Sequence, residues 1–248
     1  MSGPLAGRVV LLTGAAGGFG QAIAEAFRKE GAELGLVVRR RGQLPPEAGL
    51  VIVADLADPA APGGIVAAVI ERFGRLDVLV NNAGVAPRLG LDNATPEAWR
   101  AAFAVNLDAA MFLTQAAAPH LARTGGSIVN IASEMGRRAS PASIAYSVSK
   151  AALIQLTRCA ALALAGDGVR VNAIAPGPVD TPMLRHSIAQ RGIDLEEGLA
   201  GYRSRVPSRR LGSVDEVARA VLYVASPDAA YMTGAVLAID GGTTAGEA

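Results

Sequence analysis

The sequence predicts an α/β fold built on a buried parallel sheet, and three observations carry the prediction. Short β-branched apolar runs recur from end to end, and longer alanine-rich stretches with recognisable helix starts separate most of them. No repeat, low-complexity tract or linker-like segment interrupts the alternation. The 248 residues are therefore read as one domain, 1–248.

The first strand is expected at 9–12, followed by a glycine-rich turn and an amphipathic helix over 18–30. A second strand at 34–38 leads into 39–49, which contains Pro45-Pro46 and is about as short as a parallel crossover can be. No full helix is expected there. Strands at 50–53 and 78–81 flank a helix at 63–73. Thr95 followed by Pro96 fits an N-cap and first helical position, starting a helix over 96–122. A strand at 127–131, a helix at 146–165 and a strand at 169–174 follow. Residues 183–210 form a long polar insertion carrying glycines and short helical stretches, the pattern of a binding loop or lid. Ser213-Val214-Asp215-Glu216 reads as a capping box opening a helix at 214–225, and a last strand falls at 235–239.

With 51% hydrophobic and 18% charged residues the chain has material for a substantial core, and a formal charge of +1 recommends neither nucleic acid nor membrane as partner. Residues 1–7 lack the basic and apolar segments of a signal peptide. No apolar stretch of the ~20 residues needed to span a bilayer runs uninterrupted by charge, Gly or Pro. A cytoplasmic protein without a metal site is expected. The single cysteine, Cys159, sits among apolar residues of a predicted helix and is expected in the core.

Tyr146 and Lys150 stand four apart in Tyr146-Ser147-Val148-Ser149-Lys150, and a helix puts both on one face. Such pairs are common in helices and gain meaning only from context. Here Ser133 lies thirteen residues upstream of the tyrosine, at the end of an apolar run. A free tyrosine titrates near pH ~10, and lowering that by roughly 3 units takes about 4 kcal/mol of preference for the phenolate. A neighbouring ammonium in a partly dry pocket is expected to supply much of it. A phenol so tuned can give or take a proton at neutral pH, as carbonyl reduction or alcohol oxidation requires.

The turn after the first strand reads Thr13-Gly14-Ala15-Ala16-Gly17-Gly18-Phe19-Gly20. Glycines between strand and helix let the backbone approach a pyrophosphate, which then meets free N–H groups at the helix start. Gly14, Gly18 and Gly20 are the candidate contacts, and a dinucleotide is the expected ligand.

With these motifs in order the chain resembles the short-chain dehydrogenase/reductase family over nearly its whole length. The Thr-Gly-x-x-x-Gly-x-Gly turn, the Asn81-Asn82-Ala83-Gly84 motif, Asn106 in Val-Asn-Leu, Ser133, the Tyr-x-x-x-Lys pair, Pro176-Gly177 and Asp240-Gly241-Gly242 all keep family spacing. The resemblance implies a doubly wound Rossmann fold with strand order 3-2-1-4-5-6-7 and a nicotinamide cofactor across the carboxyl ends of the strands. It implies that Tyr146 is the general acid or base, that Lys150 lowers its pKa and holds the nicotinamide ribose, that Ser133 orients the substrate oxygen, and that Asn106 anchors a proton-relaying water. Phe19, Asn82, Ala83, Gly84, Pro176, Gly177, Val179 and Thr181 join the implied cofactor contacts, with Asp55 and Leu56 at the adenine. Val38 takes the place of the family's NAD-selecting aspartate and Arg39, with Arg40 beside it, that of the NADP-selecting arginine. NADP(H) is therefore favoured over NAD(H), although Gly17 stands where NADP-type members often carry a second basic residue.

The substrate pocket is expected from 134–143, Arg88 and the 183–206 segment, where Arg137, Arg138, Arg185, His186 and Arg203 suit either an anionic substrate or a solvated surface. The expected substrate is a small carbonyl compound, secondary alcohol or polyol. A 3-oxoacyl-(acyl-carrier-protein) reductase is the alternative, disfavoured because Thr124 and Asp167 stand where that branch commonly places basic docking residues. A catalytically silent nucleotide-binding regulator is the alternative of another class, and all three catalytic positions being filled argues against it. The family's habit implies a homotetramer.

Overall fold

The apolar runs pair into one parallel sheet in a computed structural model that describes residues 3–246; the outermost residues of the expected domain, 1–2 and 247–248, lie outside the described residues. Its strands are β1 (Val9–Thr13), β2 (Glu33–Val38), β3 (Leu50–Val53), β4 (Val78–Asn81), β5 (Ser127–Ile131), β6 (Arg170–Pro176) and β7 (Val236–Ile239), in the order β3-β2-β1-β4-β5-β6-β7. The central strand β1 sets the register, with Val10 opposite Leu34 on one side and Val78 on the other.

Side chains alternate across a strand, so one apolar run feeds two cores. Val10 and Leu12 pack on one face with Phe27 of α1 (Gly18–Lys29) and Val221 of α8 (Val214–Ala225). Val9 and Leu11 pack on the other with Val69 of α2 (Ala61–Phe73) and with Leu113 of α4 (Ala109–Ala122). This doubly wound arrangement buries a strand on both sides, which is why the runs are continuously apolar. Each fully buried Leu or Phe contributes about 1.5–3 kcal/mol.

The helix starts follow the predicted chemistry. Thr95 accepts from the Ala98 amide at 3.2 Å and opens α3 (Pro96–Phe103). Ser213 and Glu216 cap one another's backbone at 3.1 and 2.8 Å. The expected helix at 96–122 is interrupted, because Ala104–Asp108 forms a π-turn between α3 and α4. The short helical stretches expected in the 183–210 insertion are α6 (Pro182–Ala189) and α7 (Leu195–Arg203). Residues 39–49 contain only the short turn Pro46–Ala48, as the paired prolines required.

One expectation about burial is corrected. Cys159 is exposed on α5 (Ile144–Leu164), because the inward face of that helix is taken by Leu153, Ile154, Thr157 and Ala161. The segments Pro96–Ala122 and Ile144–Asp167 are long and apolar enough to cross a bilayer by length and composition. Here they flank the sheet, and their inward faces bury Asn106, Ser149 and Lys150.

Candidate active site

The first wall of the site is the turn between β1 and α1. Gly14 has φ +64, and a Cβ there would stand 2.9 Å from the Ala83 Cα, so the β1 and β4 turns can only meet through a glycine. Gly20 lies so close to the Gly14 carbonyl and Ala15 that any side chain would drive helix and turn apart. Thr13 locks the two turns together, its hydroxyl accepting from the Asn82 and Ala83 amides at 3.0 Å each. The Asn82 amide group donates to the Thr13 and Gly14 carbonyls at 2.8 and 3.1 Å. Gly17, the N-cap of α1, supplies no side-chain acceptor, and the first turn of α1 carries no acidic residue. Amides left so at a helix start fit a pyrophosphate.

The second wall is the carboxyl end of β5 with α5. Lys150 is 3% exposed and its Nζ donates to the Ile131 carbonyl at 2.7 Å. Burial pulls this ammonium down to about 8. Tyr146 lies beside it, with the Lys150 Nζ 5.8 Å from the ring centroid. Burial raises Tyr146, the Ser133 hydroxyl pulls it back, and the Glu134 carboxylate pushes it up again. Lys150 is buried and Tyr146 half-buried at the cleft, and the ammonium is turned toward the Ile131 carbonyl.

Asn106 occupies the π-turn, where the extra residue re-aims a side chain that α-helical continuation would leave elsewhere. Its Oδ1 accepts from the Val85 amide at 2.8 Å, and its Nδ2 donates to the Val85 carbonyl at 2.9 Å and to Ser149 Oγ at 3.0 Å. Ser149 in turn donates to the Tyr146 carbonyl at 2.8 Å. Asn106 thus joins the loop after β4 to the helix carrying Tyr146 and Lys150. Ser133 caps the short turn Glu134–Gly136, accepting from the Met135 amide at 3.1 Å.

These walls enclose a cleft of about 440 Å³ over the carboxyl ends of the strands. Gly14, Gly18, Phe19, Gly20, Val38, Arg39, Asp55, Leu56, Asn82, Ala83, Gly84, Tyr146, Lys150 and Thr181 line it together. Arg40, Asn106, Ser133, Pro176, Gly177 and Val179 lie off this wall. Arg40 is exposed, with its amide bonded to Gln43 Oε1. Pro176 ends β6, and Gly177 is pressed against Asp240. Val179 is 4% exposed, packed into the core and bridged to Gly212. The cleft also takes in Gln43, Val85, Ile131, Ala132 and Met183, which the motifs missed. Ile131 and Ala132 were findable, since ligands of open α/β sheets sit at the carboxyl ends of strands. Two larger depressions, of about 570 and 610 Å³, lie along edge strand β3 and at the opposite end of the sheet, and neither contains a candidate catalytic residue.

The basic segments around the cleft are largely engaged by the protein itself. Arg137 donates to Thr244 Oγ1 at 3.0 Å, and Arg138, Arg185 and Arg203 pair with Glu134, Asp180 and Glu196 at 3.5, 2.7 and 3.8 Å. His186 meets Gln190, at 3.0 Å.

The comparisons with known proteins agree with this architecture. A family model described as enoyl-(acyl carrier protein) reductase matches residues 14–244. The chain is 36% identical to the 3-oxoacyl-(acyl-carrier-protein) reductase FabG of Thermotoga maritima, over 96% of this chain and 98% of the relative. It is also 36% identical to the 2-(R)-hydroxypropyl-CoM dehydrogenase of Xanthobacter autotrophicus, over 96% and 99%. Among solved structures, the ligand-free aldohexose dehydrogenase of Thermoplasma acidophilum superposes with a TM-score of 0.93 at 31% identity, covering 100% of this chain and 98% of that one. The chain belongs to the short-chain dehydrogenase/reductase family of oxidoreductases, whose members use nicotinamide cofactors.

Proposed function

We propose that this protein interconverts a small ketone or aldehyde and the corresponding secondary alcohol or polyol, with NADP(H) favoured over NAD(H). The observation that carries the reading is one cleft that begins at an uncapped glycine turn and ends at Tyr146 and Lys150. A bound nicotinamide supplies or receives the hydride. Tyr146 protonates the carbonyl oxygen in reduction and takes the proton back in oxidation, while Ser133 orients that oxygen. Lys150 holds the ribose hydroxyls and, titrating near neutrality, passes protons between the site and solvent by way of a water anchored at Asn106. Asn82, Ala83 and Gly84 present backbone to the cofactor, and Thr181, with Val179 through its main chain, meets the carboxamide end.

The cofactor preference rests on the end of β2, where Val38 offers no carboxylate to repel a 2′-phosphate and Arg39 stands on the cleft wall. A neutral polar substrate is favoured, because Arg137, Arg138, Arg185 and Arg203 are already engaged. The similarity to FabG supports a second reading, reduction of a 3-oxoacyl group on a carrier protein, against which Thr124 and Asp167 stand. The enzyme is further proposed to be a cytoplasmic homotetramer. The deciding experiment is a panel of ketones, alcohols, polyols and 3-oxoacyl thioesters assayed with both cofactors by nicotinamide absorbance. Tyr146→Phe is expected to lose most of kcat while still binding cofactor, and full activity in that variant would sink the mechanism.

A further inference from the structure

Three consecutive arginines follow β2, and the fold sends them to different places. Arg39 lines the cleft. Arg40 is exposed off its wall, and Arg41 lies in the depression along edge strand β3, with Glu33, Glu47 and Arg72. A phosphate monoester carries about −1.5 to −2 charges at pH 7 and offers three strong acceptor oxygens, more than one guanidinium satisfies. Gly17 adds no basic side chain from the glycine turn.

Gln43 lines the cleft from the same loop as Arg39. Its Oε1 accepts from the Arg40 amide at 2.8 Å, closing a turn through Gly42, whose φ is +74. Only the oxygen of a carboxamide can accept from an N–H, so this bond fixes which way round the group stands. The Nε2 end carries two donors, and among the described residues it donates to none. The loop that presents Gln43 is anchored just beyond it. Leu44 and Ala48 pack against the core that holds Phe27, and Arg28 of α1 donates to the Ala48 carbonyl at 3.0 Å. Residues 39–49 hold only the short turn Pro46–Ala48, so no crossover helix carries this side chain away from the end of β2.

We infer that Gln43 is a specificity-determining residue for the cofactor, its carboxamide presenting N–H donors to a phosphate on the ribose 2′ position while Arg39 supplies the charge. The bond to Arg40 matters to this role. It occupies the acceptor end of the carboxamide, which would repel phosphate oxygens, and leaves the donor end to the ligand. A ribose with a free 2′-hydroxyl gains no charge-assisted bond from the same donors. The inference deepens the proposed preference for NADP(H) and rests on it.

The test reads binding without turnover, by calorimetric titration of 2′,5′-ADP and 5′-ADP into wild type, Gln43→Glu and Gln43→Met. Gln43 is exposed, and both variants are expected to fold. In Gln43→Glu a carboxylate oxygen can still accept from the Arg40 amide, so the turn survives while the donors give way to a negative charge. Its Kd for 2′,5′-ADP is expected to rise about tenfold or more. Its Kd for 5′-ADP is expected to stay level or fall, since free ribose hydroxyls donate to a carboxylate. Gln43→Met, with neither donor nor acceptor, is expected to raise the Kd for 2′,5′-ADP about threefold to tenfold more than that for 5′-ADP. A side chain that only closes the turn would behave otherwise: Gln43→Met would weaken both nucleotides alike and Gln43→Glu neither, and that result overturns the inference. A preference for 2′,5′-ADP that is the same in wild type and Gln43→Glu leaves the NADP(H) reading standing without Gln43. A wild type that prefers 5′-ADP removes the NADP(H) reading and the inference with it.

Discussion

Lys150 shows how the site's chemistry weighs on the fold. Its ammonium is buried with a carbonyl as its hydrogen-bond partner and titrates near 8 instead of 10.5. The folded state therefore binds fewer protons than the unfolded chain between those values, and stability rises with pH across that window. At neutral pH the buried charge costs on the order of 3 kcal/mol. Urea unfolding of wild type and Lys150→Met at pH 8 and above pH 10 is expected to show wild type gaining most of that amount relative to the variant. Parallel pH curves would show that the ammonium is not desolvated as the fold indicates. Arg39 is the residue that tests cofactor choice. Arg39→Ala is expected to lower kcat/KM for NADP(H) by about tenfold to a hundredfold, the loss of a charge-assisted phosphate contact, and to leave NAD(H) nearly unchanged. A wild-type preference for NAD(H) unaltered by the substitution would assign the selectivity elsewhere.

The secondary-structure elements divide into those whose determinants are local and those whose determinants are not. The α8 start is local, because Ser213 and Glu216 satisfy each other's neighbouring amides and the signature is contiguous in sequence. Ser213→Ala is expected to cost about 1 kcal/mol in urea unfolding without changing the cofactor site. Glu216 adds a pH dependence of known sign. Arg210 and the Ser213 amide hold its carboxyl down at about 2, so its support is complete above 4.5 and fades as pH falls toward 2. The strands, the glycine turn and the Tyr146 and Lys150 spacing were legible for the same reason, each being a short-range pattern. The π-turn at Asn106 was not, since an i→i+5 step leaves no mark on apolar periodicity and the side chain's partners, Val85 and Ser149, come from other segments. Cys159 failed similarly, because helical residues alternate between core and surface within a few positions of one another. The engagement of Arg137 by Thr244 joins residues 107 apart in sequence, which no local motif encodes.

At the scale of the molecule, the parallel sheet gathers every catalytic candidate at its carboxyl ends and leaves the outer faces of its longest helices free. Those faces are not all polar. Met111 and Phe112 on α4, with Val148 and Leu162 on α5, are exposed, Leu162 at 84%. Several large apolar side chains on two packed helices favour a covered interface, and a closed assembly with two-fold symmetry is the arrangement that hides such a face on every copy. Covering it has a consequence for the site, since the same α5 carries Tyr146 and Lys150 on its inner side and Val148 between them facing out. Association would hold that helix against the sheet and keep the pair in register with Ser133. Light scattering of the wild-type protein at micromolar concentration is expected to give a tetramer, and Leu162→Asp combined with Phe112→Asp to dissociate it by placing unpaired carboxylates in the contact. If the face does this work, the dissociated form loses kcat beyond the loss in stability. A wild type that is monomeric across that range would leave α5 held by the sheet alone.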